Sequence, residues 1–134
     1  MTKLKMEVVT PDRKVLSKEV ESLIVPAYEG YLGVLPKHAP LVTNLGIGVV
    51  TFKAEGSEEK MAVSGGFMEV RDDNVSIMAD TAELSGEIDV ERAKRAEERA
   101  RERLKKRSPD LDFIRAERAL KRAIARQEAA GIKK

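Results

Sequence analysis

Hydrophobic and polar residues alternate at the start of the chain. Leu4, Met6 and Val8 are separated by charged residues, which is the two-residue period of a strand with one buried face. A proline and an aspartate at 10–13 then favour a turn. The pattern predicts that the chain begins with a half-buried β-strand and reverses after it.

Apolar residues continue in short segments over the next stretch. Val15 and Leu16 predict the start of a second strand, and 20–25 predicts a third that ends at Pro26, since proline lacks the donor of a ladder hydrogen bond. Residues 29–41 are rich in glycine and proline but strongly apolar. They predict an ordered loop with its own packing and no long regular element.

Two hairpins are predicted in the second half of this region. Segments 47–53 and 61–64 flank a glycine-containing turn at 55–57, and segments 67–70 and 75–78 flank the turn at 72–74. Several short strands separated by frequent turns favour a sandwich or a barrel. We therefore predict an all-β domain, a β-sandwich, over residues 1–85.

The pattern changes to helix at Asp89. Its carboxylate can cap the N–H groups of the following turn, and Glu91 suits the positive end of the helix dipole. Ser108 followed by Pro109 predicts the start of a second helix, and Gly131 predicts its end.

These signals predict two helices, at about 89–107 and 109–130. The fold class is then α+β, with an N-terminal all-β sandwich and a C-terminal antiparallel two-helix hairpin over residues 86–134. Alanine dominates the apolar stripes of both helices. Such stripes bury little area, so we expect a weak hairpin able to exchange between packed and opened forms.

Composition argues against an enzyme. The chain has no cysteine, and His38, its single histidine, lies near two prolines, where a turn residue is expected. The residues offer no metal cluster and no Ser-His-Asp arrangement. Residues 64–66 lack the lysine of a phosphate loop and favour a bulge or a tight crossing. No apolar run approaches the roughly 20 residues that span a bilayer, so we predict no membrane insertion.

Charge is divided between the two parts of the chain. Residues 1–86 carry 9 basic and 13 acidic side chains, and residues 87–134 carry 16 basic and 10 acidic ones. The helical part contains like-charged rows, which are Arg95, Arg99 and Arg103 with Arg92 close by, and Arg118, Arg122 and Arg126. A solvated surface, a polyphosphate site and an acidic partner all fit these rows.

A nucleic-acid-binding or docking hairpin is the alternative from a different functional class. Aromatic residues are scarce, and acidic side chains are interspersed with the basic ones, so the sequence disfavours nucleic acid as a partner.

Three segments carry a resemblance to a known family. They read VTPD at 9–12, GYLGVLPKHAPL at 30–41 and VSGGFMEV at 63–70. In this order, and followed by a helical hairpin, they resemble the epsilon-subunit family of bacterial F-type ATP synthases. Lys37 departs from the glycine common at its position.

The resemblance implies a non-catalytic subunit of the central stalk. Such a subunit contacts the gamma subunit and the c-ring at the cytoplasmic face of the cell membrane, in an enzyme that uses a proton gradient to make ATP. Its helices either fold down on the sandwich or extend toward the alpha and beta subunits, and the extended form restrains ATP hydrolysis.

A site for ATP is implied by the same resemblance. IDVERA at 88–93 matches the I/L-D-x-x-R-A motif of bacillus-like members that bind ATP in the folded hairpin. By position, the adenosine end would contact Glu83, Ile88 and Asp89. The phosphates would be surrounded by Arg92, Arg99, Arg122 and Arg126. Whether magnesium accompanies the nucleotide is left open.

Overall fold

The computed structural model describes residues 2–106, 109 and 112–132. The strands formed by these residues are β1 (Leu4–Val9), β2 (Lys14–Val20), β3 (Ser22–Ala27), β4 (Gly30–Val34), β5 (Leu41–Asn44), β6 (Ile47–Ala54), β7 (Ser57–Arg71) and β8 (Asn74–Leu84). A short 3₁₀ turn (Ser85–Glu87) leads to helix α1 (Val90–Lys106), and helix α2 (Phe113–Ala129) follows. A β-sandwich followed by two helices confirms the predicted α+β class.

The strands hydrogen-bond in the order β2-β1-β8-β7-β6-β3-β4, with β5 added beside β7. The long strand β7 pairs with β6 over residues 57–64 and with β5 over residues 67–70. Strands β1 and β8 run parallel, and the other pairs are antiparallel. Strand β7 therefore pairs with β8 on one side and with β6 and β5 in succession on the other.

The main core lies inside the sandwich. Leu4, Met6 and Val8 are buried and alternate with exposed residues, as the sequence pattern predicts. The largest fully buried side chains around them include Leu23, Phe52, Met61, Met68 and Ile77.

Both predicted hairpins are confirmed, and the turns explain why. Glu55 and Gly56 both have positive φ, as do Asp72 and Asp73. Two consecutive positive φ values give the type I′ geometry that matches the twist of paired strands.

Residues 64–66 form neither the bulge nor the crossing that the sequence favours, but a close approach between the paired strands β7 and β8. The β7–β8 register is continuous through Ser64 and Gly66, so no extra residue is inserted. A Cβ on Gly66 would collide with the carbonyl oxygen of Met78 and with Ala79 Cα. Glycine is required here because β8 approaches closely at the place where β7 changes its neighbour from β6 to β5.

The prediction for the third strand was wrong at both ends. Val20 ends β2, and β3 continues through Pro26 to Ala27. Pro26 lies past the β3–β6 ladder, which covers only Ser22–Ile24. There its carbonyl oxygen accepts from Gly46 N–H at 2.8 Å, so the strand uses the acceptor that proline keeps.

The interpretation of 29–41 as a loop was also wrong in part. Gly30 has φ 127° and starts β4, which pairs with β3. The glycine therefore marks a reversal before a strand. The prediction of a turn at His38 is confirmed, since its N–H donates to Leu35 O at 3.2 Å.

The second helix begins four residues later than predicted. Asp112 is its N-cap, in an extended conformation that keeps it outside the helix, and its carboxylate accepts from Arg115 N–H at 3.0 Å. Ser108, the predicted cap, lies outside the described residues. The predicted end is confirmed: Gly131 has φ 84°, and Gly131 and Ile132 donate back to Glu128 and Gln127 as a Schellman motif.

The hairpin is folded down on the sandwich through α2. Ala125 and Ala129 pack with Val49 and Ala62 of the sheet, together with the half-buried Ile47 and Ile88. A second face of α2 carries the buried Ala116 and Ala123, and α1 carries Ala93 and Ala100. Phe113, at the start of α2, is exposed. Sequence periodicity found the helix-facing stripe but not the alanines that face the sheet.

The close approach of β8 to Gly66 gives the first prediction. Gly66→Ala should lower the free energy of unfolding by about 2 kcal/mol or more, because positive φ and a backbone collision both oppose a side chain. Gly86→Ala is the matched control, since no atom lies near its added Cβ, and it should change stability by less than about 0.5 kcal/mol. Urea unfolding of both variants measures the difference, and equal stabilities would contradict a close approach at Gly66.

Candidate functional site

The motif at 88–93 forms the joint between the sandwich and α1. Asp89 Oδ1 accepts from Arg92 N–H at 3.1 Å, which confirms the predicted N-cap. Ile88 is extended, with φ −78° and ψ 127°, and packs into the cluster under α2. The two residues thus connect the start of α1 to the contact between α2 and the sheet.

An ion pair holds the residues just before this joint. Arg13 Nη2 donates to Glu87 Oε1 at 2.9 Å, and the same carboxylate oxygen accepts from Leu84 N–H at 3.0 Å. The hydrogen bond from Arg13, followed by the one from the backbone, lowers the pKa of Glu87. Sequence reasoning missed this contact, because the two side chains are 74 positions apart.

Glu83 and Arg126 meet at the edge of the contact between α2 and the sheet. Arg126 Nε lies 2.7 Å from Glu83 Oε1, and Nη2 donates to Oε2 at 3.2 Å. The shorter contact is an ion pair without the alignment of a hydrogen bond. Arg126 belongs to the predicted like-charged row of α2, but this row passes β8, where Glu83 neutralises Arg126.

The remaining predicted arginines lie on the surface of the hairpin. Arg92, Arg99 and Arg122 are exposed, and among residues 2–106, 109 and 112–132 their side chains form no ion pair. Their guanidinium groups are therefore available to an anionic ligand or partner.

A cleft of about 710 Å³ lies between α2 and the sandwich. Arg122 lines it, and so do Arg118 and Lys121, which sequence reasoning did not include in a site. The opposite wall includes Tyr28, Tyr31 and Asp80. Helical spacing of 118 and 122 was the signal available in the sequence, but the facing wall could only come from the fold.

The structure joins some of the predicted site residues directly. Glu83 contacts Arg126, and Asp89 contacts the backbone of Arg92. Arg92 and Arg99 are on α1, whereas Arg122 and Arg126 are on α2, so the predicted phosphate-binding arginines come from both helices.

A buried polar contact lies between the two helices. Gln127 is 2% exposed, and its Nε2 donates to Glu97 Oε1 at 2.7 Å. Glu97 also accepts from Arg101 at 2.7 Å, as an i,i+4 pair within α1. A glutamine surrounded by alanines was the sequence signal for a specific cross-helix contact.

The chemistry of this region is that of cations and backbone caps. In the part of the chain that the structure describes, no group of three or more acidic or histidine side chains could hold a metal ion. No described helix is long and apolar enough to cross a membrane. The arrangement suits binding of a polyanion.

Comparison with known proteins places both parts of the chain in one family. The family model for the beta-sandwich domain of the ATP synthase Delta/Epsilon chain matches residues 3–85, and the model for its long alpha-helix domain matches residues 87–131. The ATP synthase epsilon chain of Moorella thermoacetica is 58% identical over 132 residues, covering 98% of each chain. That of Bacillus licheniformis is 52% identical over 130 residues, covering 97% of this chain and 99% of the relative.

Solved structures show the same fold. A chain in the Euglena gracilis mitochondrial ATP synthase, solved with OSCP, F1 and the c-ring, matches with a TM-score of 0.82 and 30% identity, over 97% of this chain and 82% of that one. A chain from the central stalk and c-ring of the Tetrahymena thermophila enzyme matches with a TM-score of 0.62 over 96% and 97% of the two chains. At 15% identity, the second match supports the fold alone.

The contact between Arg13 and Glu87 gives a prediction about pH. Because the pKa of Glu87 is lowered in the folded protein, the pair stabilises the fold above the ordinary glutamate pKa of about 4.3 and is lost as pH falls through the lowered value. Arg13→Gln should move the pKa of Glu87 back up, as measured by NMR titration of its carboxyl carbon. Lys14→Gln, which removes the neighbouring pair with Glu7, should leave Glu87 unchanged. An unchanged Glu87 pKa in Arg13→Gln would contradict this account.

Proposed function

The chain belongs to the delta/epsilon family of ATP synthase as an epsilon subunit of the F-type enzyme, and on this premise we propose that its hairpin restrains ATP hydrolysis when extended and that ATP favours the folded form. The observation that carries this proposal is the folded hairpin itself: α2 rests on the sandwich through small side chains, while Arg92, Arg99 and Arg122 have no ion-pair partner among the described residues.

A place in the central stalk, without catalytic chemistry of its own, follows from the family. We propose that the sandwich couples the gamma subunit to the c-ring at the cytoplasmic face of the cell membrane. The relative in the Euglena enzyme was solved together with F1 and the c-ring. The sandwich also exposes large apolar side chains that suit protein contacts, namely Tyr28, Tyr31, Leu35, Val42 and Phe67.

Extension of the hairpin would release the basic face of α2. In the folded form Arg118 and Arg122 line the cleft beside the sandwich, where Asp80 is the facing carboxylate. An acidic surface of the alpha and beta subunits would offer these cations more partners than the sandwich does. Electrostatic complementarity of this kind would fix the extended helix against the catalytic subunits.

The proposed ATP site combines the joint with the arginines of both helices. Ile88 and Asp89 would contact the adenosine end, and Arg92, Arg99, Arg122 and Arg126 would hold the phosphates. Guanidinium forks suit phosphate oxygens, and the unpaired state of three of these groups supports the fit.

Ligand binding to one form alone shifts the balance between the two. A nucleotide that binds only the folded hairpin stabilises it by roughly 2.7 kcal/mol at a hundredfold excess over its Kd. A hairpin seated through alanines is near enough to balance for this amount to decide its state. Low ATP would then favour extension and restraint of hydrolysis.

The first test is direct binding of ATP. Replacing Arg99 and Arg122 together by glutamine should weaken ATP binding by about tenfold or more, since charge-assisted hydrogen bonds contribute about 1.5–3 kcal/mol each. Neither side chain forms an ion pair with another described residue, so the folded hairpin should persist. Isothermal titration calorimetry measures the affinities, with Arg95→Gln as the control on the same helix as Arg99. Equal affinities, or no binding by the unaltered protein at millimolar ATP, would overturn the proposed site.

The second test concerns restraint of hydrolysis in the assembled enzyme. Replacing Arg115 and Arg118 by glutamine, which leaves the residues of the proposed ATP site unchanged, should weaken docking of the extended helix by about 0.5–2 kcal/mol, since exposed pairs contribute roughly 0.2–1 kcal/mol each. Hydrolysis by the purified enzyme should rise accordingly.

The charge-matched control replaces Lys3 and Lys5 of the sandwich by glutamine. Both variants should remain in the purified complex, and the control should keep normal restraint. Restraint that is unchanged in the α2 variant would assign it to another property of the helix.

A further inference from the structure

The contact between Glu83 and Arg126 joins the two parts of the chain. Glu83 is on β8 of the sandwich and Arg126 is on α2. Among the described residues, no other ion pair links the sandwich to this helix. The contact exists only while the hairpin is folded down, because extension carries α2 away from β8.

The environment of the pair strengthens it relative to a surface ion pair. The side chains are 22% exposed for Arg126 and 33% for Glu83, and the Nε atom of Arg126 is buried. Both carboxylate oxygens lie against the guanidinium group, at 2.7 and 3.2 Å. Partial burial reduces screening by water, and two contacts fix the orientation of the fork.

The apolar contact beside the pair is small. Ala125 and Ala129 flank Arg126 on α2 and pack with Val49 and Ala62. Alanine contributes little buried area, so hydrophobic burial alone fastens the helix weakly. A two-armed ion pair is therefore a large part of what holds α2 on the sheet.

We propose that Glu83 is a positioning residue that latches the folded hairpin and orients Arg126 toward bound phosphate, and that it does not contact adenosine. The second half of this proposal rests on the proposed ATP site. A guanidinium group carries five N–H donors, and Glu83 engages only one side of it, so Arg126 can bind a phosphate oxygen while it remains paired. ATP and Glu83 then bind the same arginine at once, so nucleotide binding stabilises the ion pair between Glu83 and Arg126.

The latch is tested without nucleotide, so that its result is independent of the ATP site. The chain has no cysteine, and spin labels on cysteines introduced at Glu55 and Glu98 report the distance between sandwich and α1. Glu83→Gln should lower the ratio of folded to extended hairpin by roughly 5- to 10-fold, the effect expected for a partly buried charged pair.

Glu59→Gln is the matched control for this experiment. It removes the Lys18–Glu59 pair, whose contact distance is 2.8 Å and which lies wholly within the sandwich. The control should leave the distance distribution unchanged. An unchanged distribution in Glu83→Gln, or an equal shift in the control, would overturn the latch.

A charge exchange separates the latch from a general effect on folding. Glu83→Arg combined with Arg126→Glu should restore part of the folded population that either single change removes, because the exchanged pair can form between the same positions. Failure of the exchange to recover more folded hairpin than the single variants would contradict a direct pairing.

The role toward ATP is tested by a double-mutant cycle in calorimetry. If Glu83 acts through Arg126, then Glu83→Gln with Arg126→Gln should bind ATP no more weakly than Arg126→Gln alone. The losses for Glu83→Gln should also be equal for ATP and GTP. Additive losses, or a loss confined to ATP, would instead assign Glu83 to the adenosine end. Absence of ATP binding by the unaltered protein would overturn the proposed site and the second half of this inference, while the nucleotide-free result for the latch would stand.

Discussion

The folded arrangement depends on the contact between α2 and strands β6 and β7, which we call the α2 seat. It consists of alanines against Val49 and Ala62, with Ile88 at one side and the pair of Glu83 and Arg126 at the edge. Larger side chains would bury more area and hold the helix more firmly. Small ones allow a close approach while keeping the free energy of release low. Such a contact orders the helix pair in the folded form and also suits the release of the hairpin that we propose.

The distribution of charge reinforces this balance. An acidic sandwich attracts a basic hairpin over some distance, but across the α2 seat the described residues form just one ion pair. Most of the arginines thus remain solvated in the folded form and retain their capacity to bind anions. Attraction between the acidic sandwich and the basic hairpin favours the folded form. The solvated arginines can still bind an anion in that form. In the proposed function, the same surface would respond to a nucleotide in the folded form and to an acidic partner in the extended form.

Local pattern was sufficient to predict much of the fold. Alternation at Leu4–Val8, the turns at 55–57 and 72–74 and the cap at Asp89 are decided by neighbouring residues, and the structure has them. The errors occurred where residues far away in the sequence determine the local structure. Pro26, for example, fits into β3 because the β3–β6 ladder ends before it. In the candidate site, the arginine rows could be read from helical spacing, but the partner of Arg126 could not. It lies 43 positions away, on a strand whose register depends on the whole sandwich.

Only a short segment, residues 87–89, forms the joint between the sandwich and the hairpin. Glu87 is held to the sandwich by Arg13, and Asp89 already caps α1. Rotation of the hairpin as a rigid unit would therefore concentrate at Ile88, the extended residue between them. The Ile88 side chain also packs beneath α2, so movement at this joint disturbs the seat of the second helix. A ligand that contacts Ile88 and Asp89 while binding arginines of α2 would restrain the joint and the seat together. This coupling explains how one small molecule could control a hairpin of more than thirty residues without any chemical step.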